Sequence, residues 1–218
     1  MSKKILIALA VVVVIVIAGL AAWQFWPAKP TVAETVDTTT VAEAPQIRPD
    51  EIVMGDAKAP VTIVEYYSLS CPHCAHFHEE ILPQIKSAYI DTGKVKLVLR
   101  DFPLNRPALQ ASLLAHCLPQ DGFLSMTDLL FKQQSTWLVD DSAAALANIA
   151  KTAGIDQAKF EQCLNDKAAQ EKIINSRKEA EDKFKVNSTP TFLINDQKLE
   201  GARSFDVFKS VIDAQLAK

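Results

Sequence analysis

The chain has 218 residues, 49% of them hydrophobic and 22% charged, with a formal net charge of −3. That length holds one domain with a sizeable core once an N-terminal apolar run is set aside. The slight negative charge excludes a basic footprint for nucleic acid, and six scattered glycines exclude a Gly-rich loop for nucleotide or flavin phosphates.

Ile5–Trp23 is an unbroken apolar stretch, preceded by Lys3 and Lys4 and followed by Trp26. At 1.5 Å per residue it reaches about 28 Å, close to the hydrocarbon thickness of a bilayer. The spacing predicts a cytoplasmic tip over 1–4 and a transmembrane anchor or signal sequence over 5–25. Basic residues stay on the cytoplasmic side, so the remainder is exported. A cleaved signal is the alternative. Gly19-Leu20-Ala21 is a mediocre cleavage site, and Ala42-Glu43-Ala44 is followed by Pro45 far from the apolar core. Residues 26–49 lack apolar periodicity and contain Pro27, Pro30, Pro45 and Pro49, which predicts a flexible linker.

The folded part is expected over 50–218. Glu51–Met54 reads as a short strand and Val61–Tyr67 as a β-branched and aromatic strand. Cys71-Pro72-His73-Cys74 then opens a helix in which Phe77, Ile81, Ile85 and Ala88 recur at helical spacing. Pro72 suits its first turn and Pro83 should kink it. Lys94–Arg100 is the next strand. These apolar strands with a helix between them suit a parallel sheet. A helical stretch follows over about 105–184, broken near Pro119–Gly122, Trp137–Asp141, Thr152–Asp156 and Asn165-Asp166. Thr191–Ile194 and Lys198–Leu199 return to strand, and Ser204 caps a last helix. The fold class is therefore α/β, interrupted by a helical insertion.

Two cysteines three apart can close a disulfide across one helical turn. Cys71 lies where unsatisfied backbone N–H groups favour an anion, so it should ionise easily and attack; Cys74, one turn inward, should resolve. His73 would favour the thiolate further if protonated or hydrogen-bonded to it. A thiol pKa lowered to about 4 would favour the reduced pair by ~4 kcal/mol at pH 7 and raise its potential by on the order of 90 mV. A zinc site using Cys71, Cys74 and two of His73, His76 and His78 competes, but it lacks a second separated ligand pair. A purely structural disulfide of this span would constrain little of the unfolded chain. No metal or other cofactor is expected; the cysteine pair is itself the redox group.

The strand before Cys-Pro-His-Cys, together with Ser188-Thr189-Pro190-Thr191-Phe192, resembles the thioredoxin superfamily. Among its members it is similar to the DsbA-type periplasmic disulfide oxidases, over residues 50–218, including the helical insertion and Arg100-Asp101-Phe102-Pro103. The resemblance implies that Pro190 is the cis-proline, with Thr189 before it, facing the active disulfide and pairing with substrate. It also implies that Glu65, six residues before Cys71, exchanges protons with the buried cysteine. The other reading of Glu65 is an acid neutralised by Lys94 or Lys96. His78 stands where some relatives carry an acid. His76 and His78 are expected to face solvent, and His116 to be structural.

Cys117 and Cys163 fall in the insertion. Outside the cytosol they are expected to form a structural disulfide, stabilising by at most ~4 kcal/mol through chain entropy; two free buried thiols remain the alternative.

These readings predict a membrane-tethered thiol:disulfide oxidoreductase. It would act on exported proteins with free thiols, be reoxidised by a membrane redox partner, and sit in a bacterial inner membrane facing the periplasm (or be periplasmic if the signal is cleaved). A reductase or isomerase of the same fold is the alternative within the class. A peptide-binding chaperone and a metallochaperone are the alternatives outside it.

Overall fold

A computed structural model describes residues 36–218; the predicted tip, the membrane segment and the first part of the linker lie outside the described residues. Among the described residues no helix is long and apolar enough to cross a membrane.

The elements are β1 (Thr38–Thr40), β2 (Val53–Met54), β3 (Val61–Tyr67), α1 (Pro72–His76), a π-helical turn Phe77–Ile81, α2 (Leu82–Ile85), a second π-helical turn Lys86–Ile90 and β4 (Val95–Asp101). The insertion follows as α3 (Arg106–His116), α4 (Gln120–Lys132), α5 (Gln134–Trp137), α6 (Ser142–Thr152), α7 (Gln157–Leu164) and α8 (Lys167–Phe184). The chain closes with β5 (Thr191–Ile194), β6 (Gln197–Glu200) and α9 (Phe205–Leu216).

The strands form one sheet in the order β1-β6-β5-β3-β4-β2. The sheet is mixed rather than parallel: only β3 and β4 run parallel, joined by the helical crossover such a pair needs. β5 and β6 are joined through Asn195 and Asp196 alone, too short a connection for anything but an antiparallel hairpin.

Side-chain alternation along β3 assigns its two faces. Val61, Ile63 and Tyr67 join the apolar cluster that contains Cys71, Cys74 and Phe77, whereas Val64 and Tyr66 join Phe102, Phe184 and Val186 on the other side. Glu65 shares the parity of Ile63 and Tyr67, so a carboxylate in mid-strand points to the cysteine side.

The insertion buries Leu114, Phe123, Leu130, Phe131 and Trp137 against that same cluster. Its helices start cleanly: the side chains of Asn105, Asp141, Asp156 and Asp166 accept from backbone N–H groups at 2.8–3.1 Å. The break expected across Pro119–Gly122 is narrower than that, because α4 already begins at Gln120.

Two local readings change. Pro83 is accommodated by a widened turn: Leu82 N–H donates to Phe77 C=O, five residues back. A proline has no N–H to give its own turn, and the wide turn before it absorbs the loss. The linker also ends earlier than residue 49. Thr38–Thr40 pair with Lys198 and its neighbours on the open edge of β6, Pro45 is buried, and Arg48 pairs with Glu51 and Glu179 at 2.8 Å. An unpaired strand edge recruits β-branched chain, and the threonines supply it.

Candidate active site

Cys71 is the N-cap of α1, with extended backbone (φ −89°, ψ 119°) and Pro72 as the next residue. Its carbonyl accepts from the N–H groups of Cys74 and Ala75, both at 3.1 Å, which starts the helix. Its own N–H donates to Ser68 C=O at 3.0 Å. The insertion braces the loop before it. Asn105 Nδ2 donates to Ser70 Oγ at 3.0 Å, Leu104 N–H to Ser68 Oγ at 3.3 Å, and Gln134 Nε2 to Leu69 C=O at 2.7 Å.

Both thiols are free, and they differ sharply. Cys71 is drawn down to about 5, first by a hydrogen bond from Cys74, against the cost of burial, and then by the Thr189 side chain and the backbone N–H groups of Cys74 and His73. Cys74 is fully buried and is pushed well above an ordinary thiol, first by burial, then by its hydrogen bond to Cys71 and by the charge of Glu65. At pH 7 a thiol at about 5 rather than 9 favours the reduced pair by at most about 2.7 kcal/mol, or about 60 mV, less any solvent screening at its open side. This is smaller than the sequence-based figure of 90 mV.

His73 acts on the sulfur through its backbone N–H, and its side chain faces solvent. Pro72 is also exposed. Thr189–Pro190 is a cis peptide lying over the thiol: Cys71 Sγ donates to Thr189 C=O at 3.2 Å, and Pro190 C=O accepts from Gly201 N–H at 2.9 Å. The Thr189 hydroxyl is buried beside the thiol without a hydrogen-bond partner. The structure thus brings Cys71, Pro72, His73, Cys74, Thr189 and Pro190 together, with Glu65 beneath them.

Glu65 is 0% exposed and meets neither Lys94 nor Lys96. Lys96 reaches instead to the carbonyls of Ala57 and Ala59. The partner of Glu65 is His78, whose Nε2 lies 2.9 Å from Oε2. His78 is therefore buried, contrary to the expectation that it faces solvent, while His76 does face solvent. The signal was present in the spacing. His78 is four residues after Cys74 and three before Ile81, on the apolar side, whereas Glu79 and Glu80 mark the wet side. His116 pairs with buried Asp101 at 2.6 Å, and Tyr67 Oη donates to the same carboxylate at 3.0 Å. Cys117 and Cys163 are bonded, with Cα atoms 5.6 Å apart, joining the ends of α3 and α7. Among the described residues, no three His, Cys, Asp or Glu side chains converge as a metal site requires.

Residues 48–214 match the family described as Thioredoxin. A Rickettsia felis protein named as a protein-disulfide oxidoreductase is 31% identical over 77% of this chain and 60% of its own length. The chain thus spans about 60–65% of the length of such rickettsial relatives. Disulfide bond formation protein D of Bacillus subtilis is 28% identical over 75% of this chain and 76% of its own. The crystal structure of alpha-DsbA1 from Wolbachia pipientis superimposes with a TM-score of 0.73 at 34% identity, covering 78% of this chain and 93% of that one. With the interrupted sheet and the Cys-Pro-His-Cys helix start already described, these matches establish that the chain belongs to the thioredoxin superfamily, in its DsbA-like branch.

Proposed function

We propose that the protein donates disulfides to exported proteins by exchange at Cys71–Cys74. A substrate thiolate attacks Cys71 of the disulfide form. The Cys71–Cys74 bond breaks, and a mixed disulfide holds substrate on Cys71. A second substrate thiolate attacks the substrate sulfur, and Cys71 leaves with the electron pair. The substrate is oxidised by two electrons and the pair is reduced. The observation that carries this reading is the asymmetry of the pair: a stabilised thiolate at Cys71 makes it a good leaving group and favours the reduced product. Pro190 and Thr189 supply the backbone against which an extended substrate segment pairs, and Glu65 exchanges protons with Cys74.

The apolar run Ile5–Trp23, with its flanking lysines and tryptophans, supports a membrane tether with the N-terminus cytoplasmic. The domain would then work in the periplasm beside a membrane partner that reoxidises it, and tethering raises the local concentration of both. Mixing the oxidised protein with a reduced dithiol peptide tests the activity. The expected result is one peptide disulfide formed per Cys71–Cys74 disulfide consumed, and none with Cys71→Ser. A protein that binds the peptide yet leaves its thiols reduced would favour the chaperone reading instead.

A further inference from the structure

Cys74 leaves as an anion in the first exchange step, in a place where burial makes an anion costly. It therefore needs a proton, and in the reverse step it must lose one. Glu65 lies near enough for its charge to act on Cys74, but Glu65 is itself sealed, and strand register sets Leu99 on one side of it and Phe192 on the other. Its Oε1 is buried without a partner, and Oε2 is held by His78. A carboxylate so enclosed can hand over one proton and then has no way to replace it. His78 supplies the way out. Its side chain keeps 6% exposure against 0% for Glu65, and its ring carries a second nitrogen.

We propose that His78 relays protons between Glu65 and solvent, so that the buried Glu65–His78 pair protonates Cys74 when it leaves and deprotonates it when it attacks. The inference rests on the exchange reading above. In the closing direction, Cys74 Sγ–H gives its proton to Glu65 and attacks Cys71. The Cys71–Cys74 bond forms, the bond from Cys71 to its adduct breaks, and the departing thiolate takes the electron pair. The proton on Glu65 passes through His78 to water. Opening runs the same path backwards, with no net oxidant beyond the substrate disulfide.

The surroundings leave His78 as the natural exit. Its ring packs on Phe131 of α4 at 4.3 Å, on Phe77 at 5.5 Å and on Tyr67 at 6.2 Å. The Tyr67 hydroxyl is committed to Asp101. The charged groups on the adjoining helices are Glu79 and Glu80 on its own turn, His73 and His76 on α1, all exposed, and Asp128 and Lys132 on α4, which pair with each other at 2.7 Å. The wide turn that begins at Phe77 is the segment that carries His78.

The test follows the glutathione adduct at Cys71. The reduced protein is mixed with oxidised glutathione between pH 5 and 9, and the adduct is timed by acid quench and mass spectrometry. His78→Gln keeps a donor for Glu65 but cannot relay a proton. It should lengthen the adduct lifetime by about 10²-fold, within the range of general acid–base effects, and abolish the pH dependence of closure. Wild-type closure should also slow in heavy water, a readout that stands even if the variant fails to fold. A His78→Gln adduct as short-lived as wild type, or wild-type closure indifferent to heavy water, would overturn the relay. A wild-type protein that forms neither the adduct nor the Cys71–Cys74 disulfide would instead overturn the exchange reading.

Discussion

The protein carries two cysteine pairs built in opposite ways. Cys117 and Cys163 are bonded and lie at the ends of two insertion helices, 46 positions apart in the chain. Cys71 and Cys74 are three residues apart, at a helix start, with one thiol lowered to about 5 and the other pushed well up. The difference lies in surroundings rather than residue type. Backbone N–H groups, the Thr189 side chain and a neighbouring S–H converge on Cys71, whereas Cys74 faces burial and a carboxylate. A bridge that must persist wants neither sulfur favoured as a thiolate; a bridge that is passed on needs one favoured strongly.

The strongest way to sharpen that contrast is to remove each pair. Cys71→Ser should reduce disulfide donation to the uncatalysed rate, measured on the dithiol peptide. Cys117→Ala with Cys163→Ala should leave donation intact and lower the stability of the protein by up to about 4 kcal/mol, read by urea denaturation. Equal losses of activity from both changes would break the distinction between a working and a structural bridge.

A smaller effect is expected at Asp101, which is hydrogen-bonded to Tyr67 and to His116, the residue before Cys117. Burial pushes its carboxyl up, but His116, Ser112 and Tyr67 together hold it below the ordinary value. A depressed carboxyl stabilises the fold above its unfolded pKa of about 4, and that contribution is lost as pH falls through the lower folded value. Denaturation series from pH 7 to pH 2 should therefore show a loss of stability below about pH 4. Asp101→Asn should flatten this slope at a cost of about 1–3 kcal/mol at pH 7, since His116 loses its charged partner. The smallest effect belongs to Thr189→Val. Removing the hydroxyl beside Cys71 should raise the midpoint of its alkylation-versus-pH curve from about 5 by less than about one unit, roughly 1.4 kcal/mol, while Cys74 stays unreactive throughout.

Much of the architecture was legible because local chemistry and tertiary structure agree. The β-branched and aromatic run Val61–Tyr67, the proline after Cys71 and the breaks that end on Asp141, Asp156 and Asp166 each state their role locally. Three features were not legible for physical reasons. Thr38–Thr40 form a strand only because β6 presents an open edge, and no local pattern reports an edge supplied by residues 197–200. The mixed sheet depends on the short β5–β6 connection, which apolar runs alone do not reveal. His78 was misjudged because a histidine beside two glutamates reads as a wet face; its burial follows from the carboxylate that β3 turns toward it. The cationic partners expected for Glu65 were Lys94 and Lys96 of the neighbouring strand, and the actual partner came from the helix above.

The central claim is that the surroundings of Cys71 poise the pair to give its disulfide away. The most direct test is the reduction potential of Cys71–Cys74 against glutathione, on residues 36–218 so that β1 is retained and with the Cys117–Cys163 bond intact. The account predicts an oxidising couple, between about −120 and −200 mV. A value near about −270 mV, that of a couple poised for reduction, would contradict it and make the protein a reductase fed with electrons by its partner.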